Sequence, residues 1–390
     1  MVRPFKFTHT PDIIFGAGKR KELDSVVKKF GQRVLFITGK KSFITSKYWF
    51  ELKNLFERNH IIIYHFLIQN EPSPEVIDNI SRQFEAEQID AVVALGGGSV
   101  LDAGKAVSAM IGKKESVKDF LEGVGTLEPD GSKIPFVALP TTSGTGSECT
   151  KNAVISEIER NGFKKSLRHD NFVPNVAIID PELTLTCPED ITAASGMDSF
   201  TQLLESYLST NSNPLTDSLA FGGLEKIKAS FEKVMENRRD LKAREDLAYA
   251  SMISGITLAN AGLGTIHGFA SSIGGRFDIP HGVICGTLMG ACNQLTIQKL
   301  KVNGDNKMAL EKYAKVGKLF SGESYKSNDY YIDFLIDLIF YWTEKFNIPK
   351  LSEYGINQKT FSKIAENTGN KNNPVSLEKE ELIEILESRF

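Results

Sequence analysis

Four side chains in the second half of the sequence have the types and spacing of a metal site. Asp198 and Gln202 stand four residues apart, which places them on one face of a helix. His267 and His281 each precede a glycine and are the only histidines beyond His169. Two imidazoles and a carboxylate are a ligand set associated with Fe²⁺, and Zn²⁺ accepts it too. A histidine on an apolar helix is more often a packed, hydrogen-bonded residue, so spacing alone does not establish a metal.

The glycine-rich segment 96–105 could bind phosphate. Gly96, Gly97 and Gly98 let the backbone approach a ligand with no Cβ in the way. A helix N-terminus behind them would offer free N–H groups and the positive end of a dipole. The spacing matches neither GxGxxG nor GxxxxGK[ST], so a tight turn requiring positive φ is the alternative. A strand–turn–helix context favours phosphate.

A second polar loop, residues 140–148, follows another apolar run. Its five hydroxyl groups and two glycines supply short donors and a flexible backbone. In open α/β sheets, ligands bind at the carboxyl edge that such loops form. An ordinary Ser/Thr turn is the alternative interpretation.

Strands and helices that would position these loops alternate in the first half of the chain. Apolar runs predict strands at residues 33–38, 61–64, 89–95 and 135–139. Ser73 as N-cap and Pro74 in the first turn predict a helix over residues 74–88. The alternation implies βαβ units and a parallel sheet with right-handed crossovers.

The pattern changes near Pro188, beyond which long amphipathic stretches predominate. Helices are predicted at residues 241–258, 308–319, 331–346 and 377–390. We therefore expect an α/β dinucleotide-binding domain over residues 1–188 and an all-α domain over residues 189–390, which would bind metal and substrate.

Composition excludes several classes of protein. The 390 residues are 41% hydrophobic and 24% charged, with a formal charge of −3, which argues against disorder and against nucleic-acid binding. No apolar stretch is long enough to span a membrane, and the N-terminus lacks a signal-peptide pattern. The four cysteines form no CxxC pair. We expect a reduced, cytoplasmic protein without membrane or nucleic-acid partners.

Taken together, these motifs resemble the iron-containing (group III) alcohol dehydrogenase family. The resemblance rests on GGGSVLDAGKA, PTTSGTGSECT, NVAIIDPELT, ASGMD and the two His-Gly sites, which run in family order along most of the chain. It implies the dehydroquinate synthase-like architecture of that family, with the active site in a cleft between an α/β domain and a helical domain. It also implies a homodimer or larger homo-oligomer.

The resemblance implies roles for residues along the cleft. Those expected to hold the cofactor pyrophosphate are Gly97, Gly98, Ser99 and Asp102. Those expected to line the cofactor cleft are Thr141, Thr142, Thr145 and Asn152. Lys164 would reach a ribose or phosphate, with Lys165 one register away.

The family's metal ligands, an Asp and three His, map to Asp198, Gln202, His267 and His281. Gln202 replaces a histidine, and its amide oxygen is a poorer ligand than imidazole. Ser271 replaces a second active-site histidine found in many relatives, so a water chain or Ser271 itself would pass the alcohol proton to solvent.

The cofactor preference follows from the end of the strand at residues 33–38. Many NAD-specific relatives have an acidic residue there, whereas this chain has Gly39, followed by Lys40, Lys41 and Ser42. Two cations and a hydroxyl favour a 2′-phosphate, and therefore NADP over NAD. A surface lysine pair after a glycine turn is the alternative.

The expected reaction is metal-assisted hydride transfer between a nicotinamide and a primary or polyol alcohol, with Fe²⁺ or Zn²⁺ bound. In the reverse direction the enzyme would reduce an aldehyde. A related dehydrogenase acting on a sugar or sugar-acid alcohol is one alternative. A nucleotide-binding protein that has lost its chemistry is another.

Overall fold

A parallel six-stranded sheet forms the first part of the computed structural model, which describes residues 4–39, 43–159, 162–304 and 306–390. The described strands are β1 (Asp12–Phe15), β2 (Arg33–Gly39), β3 (Ile62–Ile68), β4 (Ala91–Gly96), β5 (Phe136–Pro140), β6 (Asn152–Glu157), β7 (Phe163–Arg168) and β8 (Val176–Ile179). The sheet order is β1-β8-β5-β4-β2-β3, with every pair parallel, and β6 and β7 form an antiparallel pair apart from it. The expected α/β fold with a parallel sheet is confirmed.

Helices flank the sheet and make up the rest of the fold. In the described residues they are α1 (Leu23–Val27), α2 (Lys47–Arg58), α3 (Pro74–Gln83), α4 (Gly98–Met110), α5 (Glu189–Leu208), α6 (Pro214–Glu236), α7 (Leu241–Ala261), α8 (Thr265–Gly274), α9 (His281–Asn303), α10 (Lys307–Ser321), α11 (Asn328–Lys345), α12 (Gln358–Asn367) and α13 (Lys379–Glu387). None of them is both long and apolar enough to cross a membrane.

Both faces of the sheet are buried, which explains why its central strands are continuous apolar runs. In β2, Val34 and Phe36 belong to the core cluster that includes α1 and α2. The intervening Leu35 and Ile37 belong to the cluster on the other face, with α3 and α4. The four predicted strands are confirmed, with bounds that differ by a few residues.

Some elements lack the sequence signals on which those predictions rest. The edge strand β1 is partly exposed, and β7 has the sequence FKKSLR, so neither is an apolar run. Helix α3 begins at Pro74, with the Ser73 hydroxyl accepting from the Val76 N–H at 3.3 Å. It ends at Gln83 rather than at the predicted Gln88, where the backbone has a φ of 50° that no α-helix allows.

Helix α5 lies at the centre of the helical part. Phe200, Leu203 and Leu204 are buried in its core cluster, and α6, α7, α9 and α10 all contact the helix. The four helices predicted in this half are present as α7, α10, α11 and α13. Because α5 is buried on nearly all sides, polar side chains on it require partners inside the protein.

Candidate active site

A cavity of about 900 Å³ lies where the carboxyl edge of the sheet meets the helical part. The predicted site residues that line it are Gly97, Gly98, Ser99, Asp102, Thr141, Thr142, Thr145, Asn152, Lys164, Asp198, Gln202, His267, Ser271 and His281. Gly39 ends β2 at the same edge but is not among the lining residues. Lys41 and Ser42 lie outside the described residues, as does Lys40.

Close packing requires glycine at two positions of the turn after β4, Gly96 and Gly98. Gly96, Gly97 and Gly98 do not have positive φ, so the positive-φ explanation for them is wrong. A Cβ on Gly98 would lie 2.7 Å from Cγ2 of Thr145, in the loop after β5. The two polar loops therefore interlock, with the N-terminus of α4 between them and facing the cavity.

Asp102, which the family resemblance assigns to the pyrophosphate, lines the cavity and is hydrogen-bonded within the protein. Its carboxylate accepts from the Ser147 hydroxyl at 2.5 Å and from the Val154 N–H at 3.1 Å. Burial raises the pKa of Asp102. When ionised, the side chain has no donor to offer a pyrophosphate, and it instead connects α4 to the loop and to β6.

Lys105 reinforces the same connection from inside the protein. Its fully buried ammonium donates to the carbonyl oxygens of Ser147 and Asn152 and to the Thr150 hydroxyl, at 2.8–2.9 Å. Burial lowers the pKa of Lys105 to about 8. The wall of the cavity is thus held by a polar network that is itself out of solvent.

Glu71, in the segment between β3 and α3, is a cavity residue that the sequence analysis missed. Its carboxylate accepts from the Ser99 hydroxyl at 2.7 Å and from the Lys164 ammonium at 3.0 Å. Burial opposes its ionisation, but Lys164 and Ser99 outweigh that effect and lower the pKa of Glu71. The one available signal was its position after a strand, at the edge where ligands bind.

Three predicted metal ligands converge from three helices. Asp198 lies in α5, His267 in α8, and His281 is the first residue of α9. Asp198 Oδ1 lies 3.4 Å from His267 Nε2 and 3.6 Å from His281 Nε2. This oxygen is buried and has no hydrogen-bond partner among the described residues. An unpartnered buried carboxylate oxygen facing two imidazoles suits a cation.

Two other side chains of α5 orient these ligands. The Gln202 amide nitrogen donates to Asp198 Oδ2 at 3.2 Å, and its amide oxygen accepts from the Ser254 hydroxyl at 2.9 Å. Glu205, which the sequence analysis missed, accepts from His267 Nδ1 at 2.6 Å and so leaves Nε2 free to bind a metal. Glu205 stands seven residues after Asp198, on the same helix face, which was its only signal.

Cys285 completes the cluster, since its Sγ lies 3.8 Å from the Nε2 atoms of both His267 and His281. Burial opposes ionisation of Asp198, but the two imidazoles lower its pKa below the usual range. Burial lowers the pKa of His281 to about 4 and raises that of Cys285 to about 12. The cluster therefore favours a carboxylate beside a neutral His281.

Ser271 reaches the cavity but is already hydrogen-bonded. Its hydroxyl donates to the backbone carbonyl of His267 at 3.0 Å, and the ammonium of Lys371 donates to the same carbonyl at 2.9 Å. Lys371 also lines the cavity and was missed by the sequence analysis. His60 and His169 are not among the lining residues.

Comparisons with known proteins identify the family of this chain. The family model for iron-containing alcohol dehydrogenase matches residues 10–181, and the C-terminal model of the Fe-containing alcohol dehydrogenase family matches residues 192–390. The NADPH-dependent butanol dehydrogenase of Clostridium saccharobutylicum is 32% identical over 98% of this chain and 97% of its own. The NAD-dependent methanol dehydrogenase of Bacillus methanolicus is 32% identical over 70% of this chain and 71% of its own.

A solved structure extends the similarity to three dimensions. The crystal structure of an archaeal halo-thermophilic alcohol dehydrogenase from a Red Sea brine pool superposes with a TM-score of 0.90. The two sequences are 26% identical, and the match covers 100% of both chains. With family models matching both parts of the sequence, this chain belongs to the iron-containing alcohol dehydrogenase family.

Proposed function

We propose that this NAD(P)-dependent alcohol dehydrogenase transfers hydride between a nicotinamide and a primary or polyol alcohol, and reduces the aldehyde in the reverse direction. One observation supports this most directly. The glycine turn at the N-terminus of α4 and the carboxylate–imidazole cluster line one cavity, so a dinucleotide held by the first can present its nicotinamide near the second.

The cluster fits a divalent cation, because Asp198 Oδ1 is unpartnered and both imidazoles direct Nε2 towards it. We propose that Asp198, His267 and His281 hold the ion. When bound, a divalent cation supplies Lewis-acid stabilisation of negative charge on the substrate oxygen.

The protein's own residues prepare the site. Glu205 fixes the orientation and tautomer of His267, and Gln202 fixes Asp198. Gly97 and Gly98 expose backbone at a helix N-terminus, where a pyrophosphate is favoured. Lys164 stands beside the turn, held by Glu71, where it can reach a ribose or phosphate.

We propose NADP as the preferred cofactor, with NAD possible, because Gly39 and the following lysines lack the carboxylate that would accept from a ribose. The two relatives described above differ in their named cofactor, so relationship alone does not decide between the two. Measured kcat/KM values for NADPH and NADH with one aldehyde would decide.

We propose that the domain division falls at residue 188, where α5 follows Pro188, and that the protein works as a cytoplasmic homodimer or larger oligomer. The four cysteines are free and buried, which suits a reducing compartment. Light scattering after size-exclusion chromatography would give the oligomeric state.

The test of the proposed function is NADPH-dependent reduction of short aldehydes by the purified protein, with its metal content measured in parallel. His267→Ala is expected to abolish metal-dependent turnover, while His60→Asn, which replaces an exposed histidine outside the cavity, leaves turnover unchanged. Unchanged activity of His267→Ala would refute the mechanism. Activity on sugar alcohols alone would favour the sugar-alcohol alternative, and absence of both metal and turnover would favour a protein that has lost its chemistry.

A further inference from the structure

We propose that Cys285 is the fourth protein ligand of the metal, bound as a thiolate, and that it makes the site selective for Zn²⁺ or Co²⁺ over Fe²⁺. The inference rests on the proposed function, since it concerns the same cation. It assigns a sulfur ligand to a position that the family resemblance leaves to Gln202.

Four of the six separations between ligand atoms fit one small tetrahedral ion. With Zn–N and Zn–O near 2.0–2.2 Å and Zn–S near 2.3 Å, a tetrahedral site places N and O ligands about 3.3 Å apart and N and S ligands about 3.6 Å apart. The structure has 3.4 and 3.6 Å from Asp198 Oδ1 to the two imidazoles, and 3.8 Å from Cys285 Sγ to each imidazole. The ligand atoms of all four side chains lie within 4.8 Å of one another.

Gln202 is already committed to another role. Its amide nitrogen donates to Asp198, and its oxygen accepts from the buried Ser254 hydroxyl. Presenting the oxygen to a cation would remove the hydrogen bond from the amide nitrogen to Asp198, at a cost of about 1–3 kcal/mol if the buried carboxylate oxygen is left unpaired. Cys285 has no comparable conflict, because the two imidazoles and the Asp198 carboxylate that surround it belong to the same cluster.

Helix α9 contains two of the proposed ligands, His281 and Cys285. His281 and Cys285 are separated by four residues, so the same helix face presents an imidazole and a thiol one turn apart. The helix begins at His281 after Pro280, which fixes where that face starts. A histidine lost from α5 is thereby compensated by a thiol on α9.

Binding proceeds with a defined change of protonation. The S–H bond of Cys285 breaks as the S–metal bond forms, and the proton passes to solvent. No oxidant or reductant is involved. With a divalent ion, the Asp198 carboxylate and the Cys285 thiolate sum to a neutral site, and a soft sulfur donor favours Zn²⁺ and Co²⁺ over Fe²⁺.

The experiment loads the chelator-stripped protein with Co²⁺ alone and records its near-ultraviolet and visible spectra together with the bound stoichiometry. The wild type is expected to bind one Co²⁺ and to show thiolate-to-cobalt charge-transfer absorption. Cys285→Ser is expected to lose that absorption and more than about tenfold in Co²⁺ affinity, about 1.4 kcal/mol. Cys292→Ser, two turns further along α9 and also buried, is the matched control and keeps both.

Each outcome is decisive. One bound Co²⁺ without charge-transfer absorption refutes the thiolate ligand while leaving the proposed function intact. Failure to bind Co²⁺, Zn²⁺ or Fe²⁺ refutes both. If Cys285→Ser does not fold, Cys149→Ser, Cys187→Ser and Cys292→Ser identify the ligand by elimination. Retention of the absorption in all three supports Cys285, and its loss in any one of them overturns the assignment. The same ratio of Zn²⁺ to Fe²⁺ affinity in the wild type and in Cys285→Ser refutes the selectivity attributed to the thiolate.

Discussion

Replacing Glu205 by Gln is expected to weaken metal binding without any contact between residue 205 and the metal. Glu205 accepts two hydrogen bonds, from His267 Nδ1 at 2.6 Å and from the Ile266 N–H at 2.8 Å. A glutamine has one oxygen and one NH₂ group, so it can accept only one of these and must direct its own donor at the other. His267 can adapt only by moving its proton to Nε2, the nitrogen that faces Asp198.

The magnitude follows from those contacts. A buried donor left without an acceptor costs about 1–3 kcal/mol. If His267 instead moves its proton to Nε2, that proton must leave Nε2 before the nitrogen can bind the metal. Mutation of such an outer partner typically lowers metal affinity 10–100-fold. We therefore expect the Zn²⁺ dissociation constant of Glu205→Gln to rise by about that factor, about 1.4–2.8 kcal/mol.

The assay is competition for Zn²⁺ between the stripped protein and a chelating indicator at neutral pH. Glu148→Gln is the matched control, since Glu148 is also buried but is not a member of the metal-binding cluster. Circular dichroism and thermal unfolding would show that both variants are folded. A folded Glu205→Gln with wild-type affinity for Zn²⁺ would refute the role given to Glu205.

Further predictions concern the cofactor loops and the buried carboxylate. Gly98→Ala should raise the NADPH dissociation constant at least about tenfold, or 1.4 kcal/mol, because the new Cβ would lie 2.7 Å from Thr145 Cγ2. Fluorescence titration measures this dissociation constant. The control Gly222→Ala, at a position with open space around it, should leave the constant unchanged. An additional Thr145→Ser substitution should restore part of the affinity, and no recovery would contradict the steric explanation. Gly39→Asp should lower the ratio of kcat/KM for NADPH to that for NADH about tenfold, since the carboxylate repels a 2′-phosphate. The position has room for the side chain, because a Cβ there makes only an ordinary contact at 3.6 Å. An unchanged ratio would mean that the adenosine ribose binds away from residue 39. Burial raises the pKa of Glu148 to about 7 from 4.5. Between these two pH values the folded protein therefore holds a proton that the unfolded chain releases. Relative to Glu148→Gln, the wild type should lose about 3 kcal/mol of unfolding free energy as pH rises from 4.5 to 7. Urea unfolding at several pH values measures this, and a pH-independent difference would contradict the burial effect.

The central sheet could be predicted because burial on both faces makes its strands continuous apolar runs. The segment 33–38 is such a run, and it forms β2. The partly exposed edge strand β1 and strand β7, whose sequence is FKKSLR, could not be predicted in the same way, because neither is an apolar run. The helices of the second half were predictable where one face packs on the core.

Some residues of the candidate site could also be predicted from the sequence, and others could not. Asp198, His267 and His281 were predictable because each lies in a short motif. Glu205 and Lys371 act on His267 from 62 and 104 residues away, a proximity that only the packing of α5 and α8 and the last loops creates. Cys285 lies close to His281 in sequence, but its proximity to His267 depends on how α8 and α9 pack.

The buried ammonium of Lys105 limits which sequences this fold can accept. Arginine would bring a planar group too large for a fully enclosed position, and methionine would leave the oxygens around Ser147, Thr150 and Asn152 without their shared donor. The preceding residue, Gly104, is equally restricted, since a Cβ there would lie 2.5 Å from Ala94 in β4. Gly104 thus tolerates almost no change because of volume, and Lys105 because of hydrogen bonding. Directed evolution of this enzyme should therefore find its beneficial substitutions among the residues that line the cavity.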